Sequence, residues 1–469
     1  MELRVLNHVF CKALGPEDLT RLAQTLSYKV TTWRDGPFHM IQKDVRKPLI
    51  KKGIILGGFL PRIEKFCSQY GIPLLVHTAP DLKTTPNPTG QGFLPPRINK
   101  LLPQQERAIK AMLGKGRGVI HHPTGAGKTV IFMAFLTLYP KSKALIIVQT
   151  QDLLTQTFNR LKDFIAEKEI GIIGANLFAP RRVTVAMIQS LYRGKADDFI
   201  KDVDIVIVDE AHHISKFGKP FYNGKGATYA NVLSKIDAPI RIGFTATLPK
   251  EEEKARAMEG YLGPVISTET RESYIKEKKV SKVKLILRKL PETVAAREAK
   301  NYPDVYKYGV IFNSRKTRQV LADAESMSRI GRTSLILVSS IQHGSNILEA
   351  AQRILPQRRV TFVYGSISRM EREEIRKDFD DKFFDIVIAD VVWKEGIDIP
   401  SLGAIINAAG GKSEIQTLQF LGRGSRATEE KDLLYIFDYY DPSHRYLRDH
   451  FCERLTLFFD MGWIGGEDG

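Results

Sequence analysis

Residues 118–133 read Gly-Val-Ile-His-His-Pro-Thr-Gly-Ala-Gly-Lys-Thr-Val-Ile-Phe-Met, and this stretch decides the fold. The short apolar run Val119-Ile120 feeds a glycine-rich loop, and Val130-Ile131-Phe132-Met133 continues from it as an apolar helix. Strand, glycine loop and helix in that order are the parts of a phosphate-binding P-loop. Thr124, Gly125, Ala126 and Gly127 form the curl in which backbone N–H groups surround phosphates, where a Cβ would obstruct them. Lys128 can reach the β- and γ-phosphates, and the Thr129 hydroxyl can ligate Mg2+. His122 stands where the general pattern has its first Gly.

About eighty residues later, Ile205-Val206-Ile207-Val208 runs into Asp209-Glu210-Ala211-His212. Both carboxylates then sit at the C-terminal edge of a sheet, where open α/β sheets bind ligands. Asp209 is the expected Mg2+ carboxylate. Glu210 is the expected general base that orients and deprotonates an attacking water.

The chain has 469 residues, room for roughly two to four domains. Its net charge of +17 favours a polyanionic partner, nucleic acid before an acidic membrane surface. No run approaches the roughly 20 apolar residues of a membrane span, so no membrane partner is expected. Met1-Glu2-Leu3-Arg4 lacks the basic-then-apolar shape of a secretory signal, and a cytoplasmic location is expected. Cys11, Cys67 and Cys452 form no C-x-x-C pair, so they read as reduced thiols rather than a zinc or iron–sulfur site.

Proline and glycine crowd residues 84–97 and mark a linker. The expected organisation is a small α+β domain over 1–83, a linker over 84–98, a first αβ domain over 99–272, and a second with a C-terminal extension over 273–469. The first module is expected to hold strands near Leu3–Phe10 and Gly53–Leu60, and helices at Pro16–Ser27 and Leu60–Tyr70. Apolar β runs occur at Gly118–His121, Ala144–Val148, Val183–Ala186, Ile205–Val208 and Ile240–Phe244, with helical patterns between them. A second series runs through Ser334–Val338, Val360–Val363, Ile386–Ala389, Ala404–Asn407 and Leu433–Phe437. Such alternation signals parallel sheets covered on both faces, and a nucleotide held between two of them. The charged stretch 249–285 is expected to connect the two sheets.

Residues 99–440 resemble the superfamily 2 helicases and translocases, motif by motif. Leu101-Leu102-Pro103-Gln104-Gln105 resembles the Q motif, which implies that Gln105 reads adenine. Val148-Gln149-Thr150 to Gln156 resembles motif Ia, and Met187-Ile188-Gln189-Ser190-Leu191 motif Ib. Thr245-Ala246-Thr247 resembles motif III, which couples hydrolysis to movement together with His212 and Gln419. Glu395-Gly396-Ile397-Asp398 resembles motif V, which puts Gly396 and Asp398 at the nucleotide. Gln419-Phe420-Leu421-Gly422-Arg423-Gly424-Ser425-Arg426 resembles motif VI, whose arginines, Arg426 and Arg423, meet charge on the γ-phosphate. The resemblance implies α/β architecture with two tandem RecA-like motor domains, and ATP with Mg2+. Asp390 departs from the family, which commonly has Thr or Ser there to touch the nucleic-acid backbone.

Strand contacts are inferred from position and charge. Thr150, Gln151, Gln189, Ser190, Ser339, Ser340 and Gln342 can donate hydrogen bonds to phosphates without reading bases. Loop 216–225 interleaves lysines with Phe217, Phe221 and Tyr222, and either stacks on an opened strand or tucks an aromatic beneath itself. Gly58-Phe59-Leu60-Pro61-Arg62-Ile63-Glu64-Lys65-Phe66-Cys67-Ser68-Gln69-Tyr70-Gly71 resembles the N-terminal segment of the phage UvsW-type recombination helicases, as does Ser340-Ile341-Gln342-His343-Gly344. Residues 1–90 hold 13 Lys and Arg against 7 Asp and Glu. Arg34, Lys43, Arg46, Lys47, Lys51 and Lys52 concentrate in one stretch, an expected duplex-phosphate surface. The expected activity is that of a monomeric ATP-dependent DNA helicase or translocase acting on forks, Holliday junctions and D-loops in recombination or replication repair. An RNA helicase, a duplex translocase without strand separation, and an ATP-gated clamp without turnover are the alternatives.

Overall fold

The computed structural model describes residues 1–14, 22–23, 26–35, 40–95, 98, 100–123, 125–193, 196–217, 227–270, 273–274, 282–390, 401–411, 433–460 and 463–464. The chain divides into two compact units, the first of Met1–Pro123 and Gly127–Thr270, the second chiefly of Arg271–Gly469.

The first unit opens with β1 (Glu2–Val5), β2 (Phe10–Ala13), β3 (Ser27–Asp35), β4 (Met40–Pro48), β5 (Ile54–Leu56) and β6 (Leu75–Thr78). The strands β5-β2-β1-β6 form one sheet, while β3 and β4 pair as a separate antiparallel hairpin. Leu3–Phe10 is not one strand: residues 6–9 turn between β1 and β2, with the Asn7 side chain accepting from the Val9 and Phe10 N–H groups. Most of 15–27 lies outside the described residues, but Ser27 already begins β3 rather than ending a helix. The helix Leu60–Gln69 forms as expected, with Pro61 in its first turn.

The motor sheet follows: β7 (Arg117–His121), β8 (Ala144–Val148), β9 (Ile170–Gly174), β10 (Leu177–Ala179), β11 (Val183–Met187), β12 (Ile205–Val208), β13 (Ile240–Thr245) and β14 (Val265–Thr268). Their order is β10-β9-β11-β8-β12-β13-β7-β14, and all pairs but β9–β10 are parallel. Both faces are covered, so successive residues enter alternate cores. Ala144, Ile146 and Val148 face the helices 103–115, 128–137 and 151–161. Leu145 and Ile147 enter the opposite core. Each fully buried aliphatic side chain contributes about 1.5–3 kcal/mol.

That opposite core also contains Leu3, Ile55, Leu56, Phe59 and Ile63, so the N-terminal module and the motor sheet share one hydrophobic interior. The helix Glu252–Leu262 is the seam. A Cβ on Gly58 would stand 2.0 Å from the Glu259 carbonyl oxygen, so only glycine allows this approach. Arg62 makes a two-pronged pair with Glu259 at 2.8 and 3.0 Å. The Pro/Gly-rich segment is strapped down as well: Gly90 N–H donates to the Leu138 carbonyl and Phe93 N–H to the Thr137 hydroxyl. Stretch 249–285 does more than connect. It supplies the seam helix, the edge strand β14, and the start of an edge strand of the second sheet.

The second unit carries β15 (Lys282–Lys289), β16 (Thr333–Leu337), β17 (Val360–Val363), β18 (Ile386–Ala389), β19 (Leu402–Asn407) and β20 (Leu433–Tyr440), in the all-parallel order β15-β20-β19-β16-β18-β17. Helices 314–329 and 341–354 cover one face. Phe379 and Phe458 cover the other.

Candidate functional site

Sequence folds the phosphate loop locally. Gly125 and Gly127 both take positive φ, +79° and +73°, which L side chains avoid. Gly127 then caps the helix Lys128–Thr137, whose N-terminal N–H groups favour an anion. A Cβ on Gly127 would meet Gln105 Nε2 at 2.6 Å, so the loop and the Q-motif amide are in contact. Gln105 itself is held by the Leu102 N–H, which donates to its Oε1 at 3.0 Å. Lys128 is nine-tenths buried, and its Nζ donates to the His122 carbonyl at 3.5 Å. Thr129 is half-buried at the start of that helix. Thr124 lies outside the described residues.

Two strands away, β12 delivers Asp209 and Glu210 to the same sheet edge. Burial and the neighbouring Glu210 carboxylate push Asp209 up to about 6, and Lys128 opposes the shift. Asp209 Oδ1 accepts from the Glu210 N–H at 3.0 Å. Glu210 adopts a left-handed conformation, φ +49° and ψ +53°, a strained backbone for a residue with a Cβ. Its Oε2 lies 3.3 Å from His212 Nδ1. The same nitrogen is 3.0 Å from Thr245 Oγ1, at the end of β13. Thr245 Oγ1 in turn donates to the Thr247 carbonyl at 2.8 Å and accepts from the Thr247 N–H at 3.2 Å. One unbroken polar chain therefore joins the carboxylate to the Thr-Ala-Thr turn.

Glycine loop, buried lysine and paired carboxylates at one edge fit a nucleoside triphosphate with a hard divalent cation, which takes carboxylate, hydroxyl and phosphate oxygens. Bound there, the cation would neutralise charge on the β- and γ-phosphates, held by Thr129 and Asp209.

Sequence reasoning missed two histidines. His122 is fully buried, bonded to Ser267 Oγ at 2.9 Å, and pushed down to about 3 by burial, then by Lys128. His213 lies 4.2 Å from the His212 ring and is pushed down to about 4 by burial, then by His212. Both are neutral when folded and take up protons when unfolded below about pH 6.5. The stability they contribute is present above that pH and lost as pH falls. Asp209 works oppositely: its contribution is present below its unfolded value of 3.8 and lost as pH rises through about 6. The buried histidines, His8 among them, outnumber the one carboxyl that opposes them, so acidification from about pH 6 to 4 destabilises the first unit on balance. The first unit's melting temperature is expected to fall over that range, and His122→Gln with His213→Asn to flatten the fall. An unchanged slope in that double variant would contradict neutral burial.

The strand-contact candidates fall on the edges of both sheets. Thr150 caps the helix Gln151–Leu161 by accepting from Leu153 N–H, and Gln189 Nε2 donates to the Gln149 carbonyl at 3.0 Å, so motifs Ia and Ib meet. Ser190 follows in the same short helix. In the second unit Ser340 caps the helix Ile341–Ile354, Ser339 Oγ is 3.3 Å from His343 Nδ1, and Gln342 bonds Asn346. Asp390 is buried, which keeps its carboxylate off the surface a phosphate would pass. Phe217 is not available for stacking on a strand: it is buried against Tyr28, ring centroids 5.5 Å apart. The rest of that loop, 218–226, lies outside the described residues, as do Gly396, Asp398, Gln419, Arg423 and Arg426. Arg46, Lys47, Lys51 and Lys52 are exposed on and beside the β3–β4 hairpin, whose base is tied to the motor by Lys29 N–H donating to Glu252 at 3.0 Å.

Residues 98–250 match the family described as Type III restriction enzyme, res subunit, and residues 315–428 match Helicase conserved C-terminal domain. The chain is 27% identical to the DNA 3'-5' translocase XPB2 of Sulfurisphaera tokodaii, covering 70% of this chain and 79% of that protein. It is 21% identical to the ATP-dependent DNA helicase uvsW of Enterobacteria phage T4, covering 94% of this chain and 91% of that one. The fold is similar to S. cerevisiae Dbp5 bound to RNA and ADP BeF3, with TM-score 0.54 and 16% identity over 79% of this chain and 90% of that one. Among the described residues, no helix is long and apolar enough to cross a membrane.

Proposed function

We propose that this chain, which belongs to the superfamily 2 helicases and is related to the UvsW group among them, is an ATP-driven DNA helicase or translocase that remodels branched DNA. The observation that carries this reading is the polar chain from Glu210 through His212 and Thr245 to Thr247. A carboxylate suited to take a proton from water stands at one end of this chain and the Thr-Ala-Thr turn at the other. A clamp without turnover has no use for such a connection. DNA rather than RNA is supported by the two relatives, named a DNA translocase and a DNA helicase, XPB2 and uvsW. Branched DNA is supported by the exposed basic hairpin fixed to the first unit.

In this mechanism Lys128 and the loop N–H groups hold the phosphates, and Gln105 reads adenine. Glu210 accepts the proton of the attacking water at a carboxylate oxygen. His212, 3.3 Å from that carboxylate, relays the change in charge to Thr245 and Thr247. Thr150, Gln151, Gln189, Ser190, Ser339, Ser340 and Gln342 grip one strand by its backbone, which makes stepping indifferent to sequence.

Replacing Thr245 and Thr247 by Ala together is expected to preserve DNA-stimulated hydrolysis better than strand displacement, both measured on one fork. Equal losses would remove the coupling role from this turn.

The basic stretch is expected to bind duplex arms through phosphates. Neutralising Lys43, Arg46, Lys47, Lys51 and Lys52 together should flatten the log–log salt dependence of junction binding by roughly one unit per lost phosphate contact. DNA-independent ATPase should survive, because the described members of this set are exposed. Deleting residues 1–90 is a poorer test, since it strips Leu3, Ile55, Phe59 and Ile63 from the motor's own core. Parent-like binding of a four-way junction by the five-fold variant across a salt titration would remove the anchoring role.

ATP-dependent processing of a synthetic four-way junction, beside a fork, a plain duplex and a structured RNA, tests the whole reading.

A further inference from the structure

The strand β14 lies at one edge of the motor sheet, beside the strand β7 that leads into the phosphate loop, and it carries none of the motifs. Its register slips between Val265 and Ser267, a bulge that re-aims the side chains beyond it. Gly118 in β7 makes room for the bulge. It sits at φ +147°, and a Cβ there would meet Ile266 Cγ2 at 2.5 Å and the Pro264 carbonyl oxygen at 2.7 Å. Bulges of this kind concentrate at sheet edges and beside active sites, and this one is at both.

Two side chains past the bulge reach different partners. Ser267 Oγ is hydrogen-bonded at 2.9 Å to Nε2 of the buried His122, at the root of the loop. The His122 carbonyl in turn accepts from Lys128 Nζ at 3.5 Å. Glu269 reaches the other way. Its carboxylate accepts from Arg107 Nε at 3.0 Å, and Arg107 lies two residues beyond Gln105 in the helix Pro103–Lys115. The Glu269 N–H donates to the His121 carbonyl at 3.0 Å, which fixes the carboxylate's own backbone to β7. With Glu269 only 12% exposed, this pair is less screened than an open surface pair. Ile266, between the two, packs against the core that holds Ala108, Ile109 and Met112 of the same helix. Helix and loop also touch directly, at Gln105 and Gly127. The base-reading amide and the phosphate-holding lysine are therefore joined by two routes, one of them through β14.

We propose that Ser267 and Glu269 are positioning residues, and that β14 is a strap which makes placement of the triphosphate depend on the base. The inference rests on the adenine role given to Gln105 above and extends it from binding to turnover. Adenine offers an amino donor beside its N7 acceptor, whereas guanine offers a carbonyl beside N7. A carboxamide whose Oε1 already accepts from the Leu102 N–H matches the first pair and repels the carbonyl of the second. Guanine thus displaces the helix that carries Gln105 and Arg107, and the strap passes the displacement to His122 and Lys128.

The test measures kcat and KM for ATP and for GTP with the full chain and saturating DNA. The parent is expected to favour ATP, and Gln105→Ala to lose that preference. Ser267→Ala and Arg107→Gln should each lower the ATP-to-GTP ratio of kcat/KM roughly threefold to tenfold, the worth of one hydrogen bond. Ser267→Thr keeps the hydroxyl and should keep the ratio. In the Gln105→Ala background neither Ser267→Ala nor Arg107→Gln should lower the ratio further, an outcome that general loosening of the fold would not give. Arg107→Gln changes an exposed side chain, so it reads the strap even where Ser267→Ala lowers the melting temperature. Loss of the preference in Gln105→Ala, with parent ratios in both Ser267→Ala and Arg107→Gln, overturns the strap alone. So does an equal loss of ATP and GTP turnover in those two variants. A parent indifferent to the base, or Gln105→Ala with the parent's preference, removes the adenine reading and the strap together.

Discussion

Glu210→Gln is expected to bind ATP with near-parent affinity and to hydrolyse it about 10²–10⁴-fold more slowly. An amide keeps the size and the hydrogen-bonding reach of the carboxylate but cannot accept the proton of the attacking water. The geometry sharpens the expectation. Glu210 is fixed by a left-handed backbone and by its 3.3 Å contact with His212, so a substituted side chain stays in place rather than swinging away. Lys128→Ala should fail earlier, with turnover abolished because the phosphates lose their buried point charge. Nucleotide binding by fluorescence separates the two, and phosphate release with DNA present reads the rate. Parent-rate hydrolysis by Glu210→Gln would show that another group takes the proton.

Arg426→Ala is the second large effect, on the order of 10³-fold in turnover with ATP affinity changed much less. If this guanidinium meets charge on the γ-phosphate that grows in the transition state, as the resemblance to motif VI implies, its loss acts on kcat rather than on binding. Lys in its place should rescue little, because a point charge cannot reproduce the planar fork. A mutant that instead loses ATP affinity with kcat kept would make Arg426 a ground-state binder.

Much of the fold could be read because both motor sheets are buried on two faces. Their inner strands are continuous apolar runs, and β8, β12 and β18 begin and end where the runs do. The strands that escaped reading are chiefly at edges. Leu177–Ala179 is short and exposed, Val265–Thr268 is short and half-polar, and Lys282–Lys289 is flanked by charge. β9 was hidden differently, by the two glycines that interrupt Ile170–Gly174. Edge strands need bury only one side, so their composition is that of a surface.

Site residues were legible where chemistry fixes local spacing. The glycine loop and the Asp-Glu-Ala-His turn are contiguous in sequence, and the structure puts Gln105, Lys128 and Asp209 at one sheet edge. Pairings across the fold were not legible. Nothing local links His212 to Thr245, 33 residues away, or shows that His122 bonds Ser267, 145 residues away. Docking of the N-terminal module escaped for the same reason. Its seam is made by a glycine and a surface ion pair, Gly58 and Arg62–Glu259, which look like loop and solvent in sequence.

The most direct measurement is strand exchange on a synthetic four-way junction by the full chain, with the parent and Glu210→Gln side by side and a structured RNA as competitor substrate. The account predicts ATP-dependent conversion of the junction into duplex arms by the parent, none by Glu210→Gln, and little action on the RNA. ATP hydrolysis that leaves the junction intact while the RNA is unwound would contradict it.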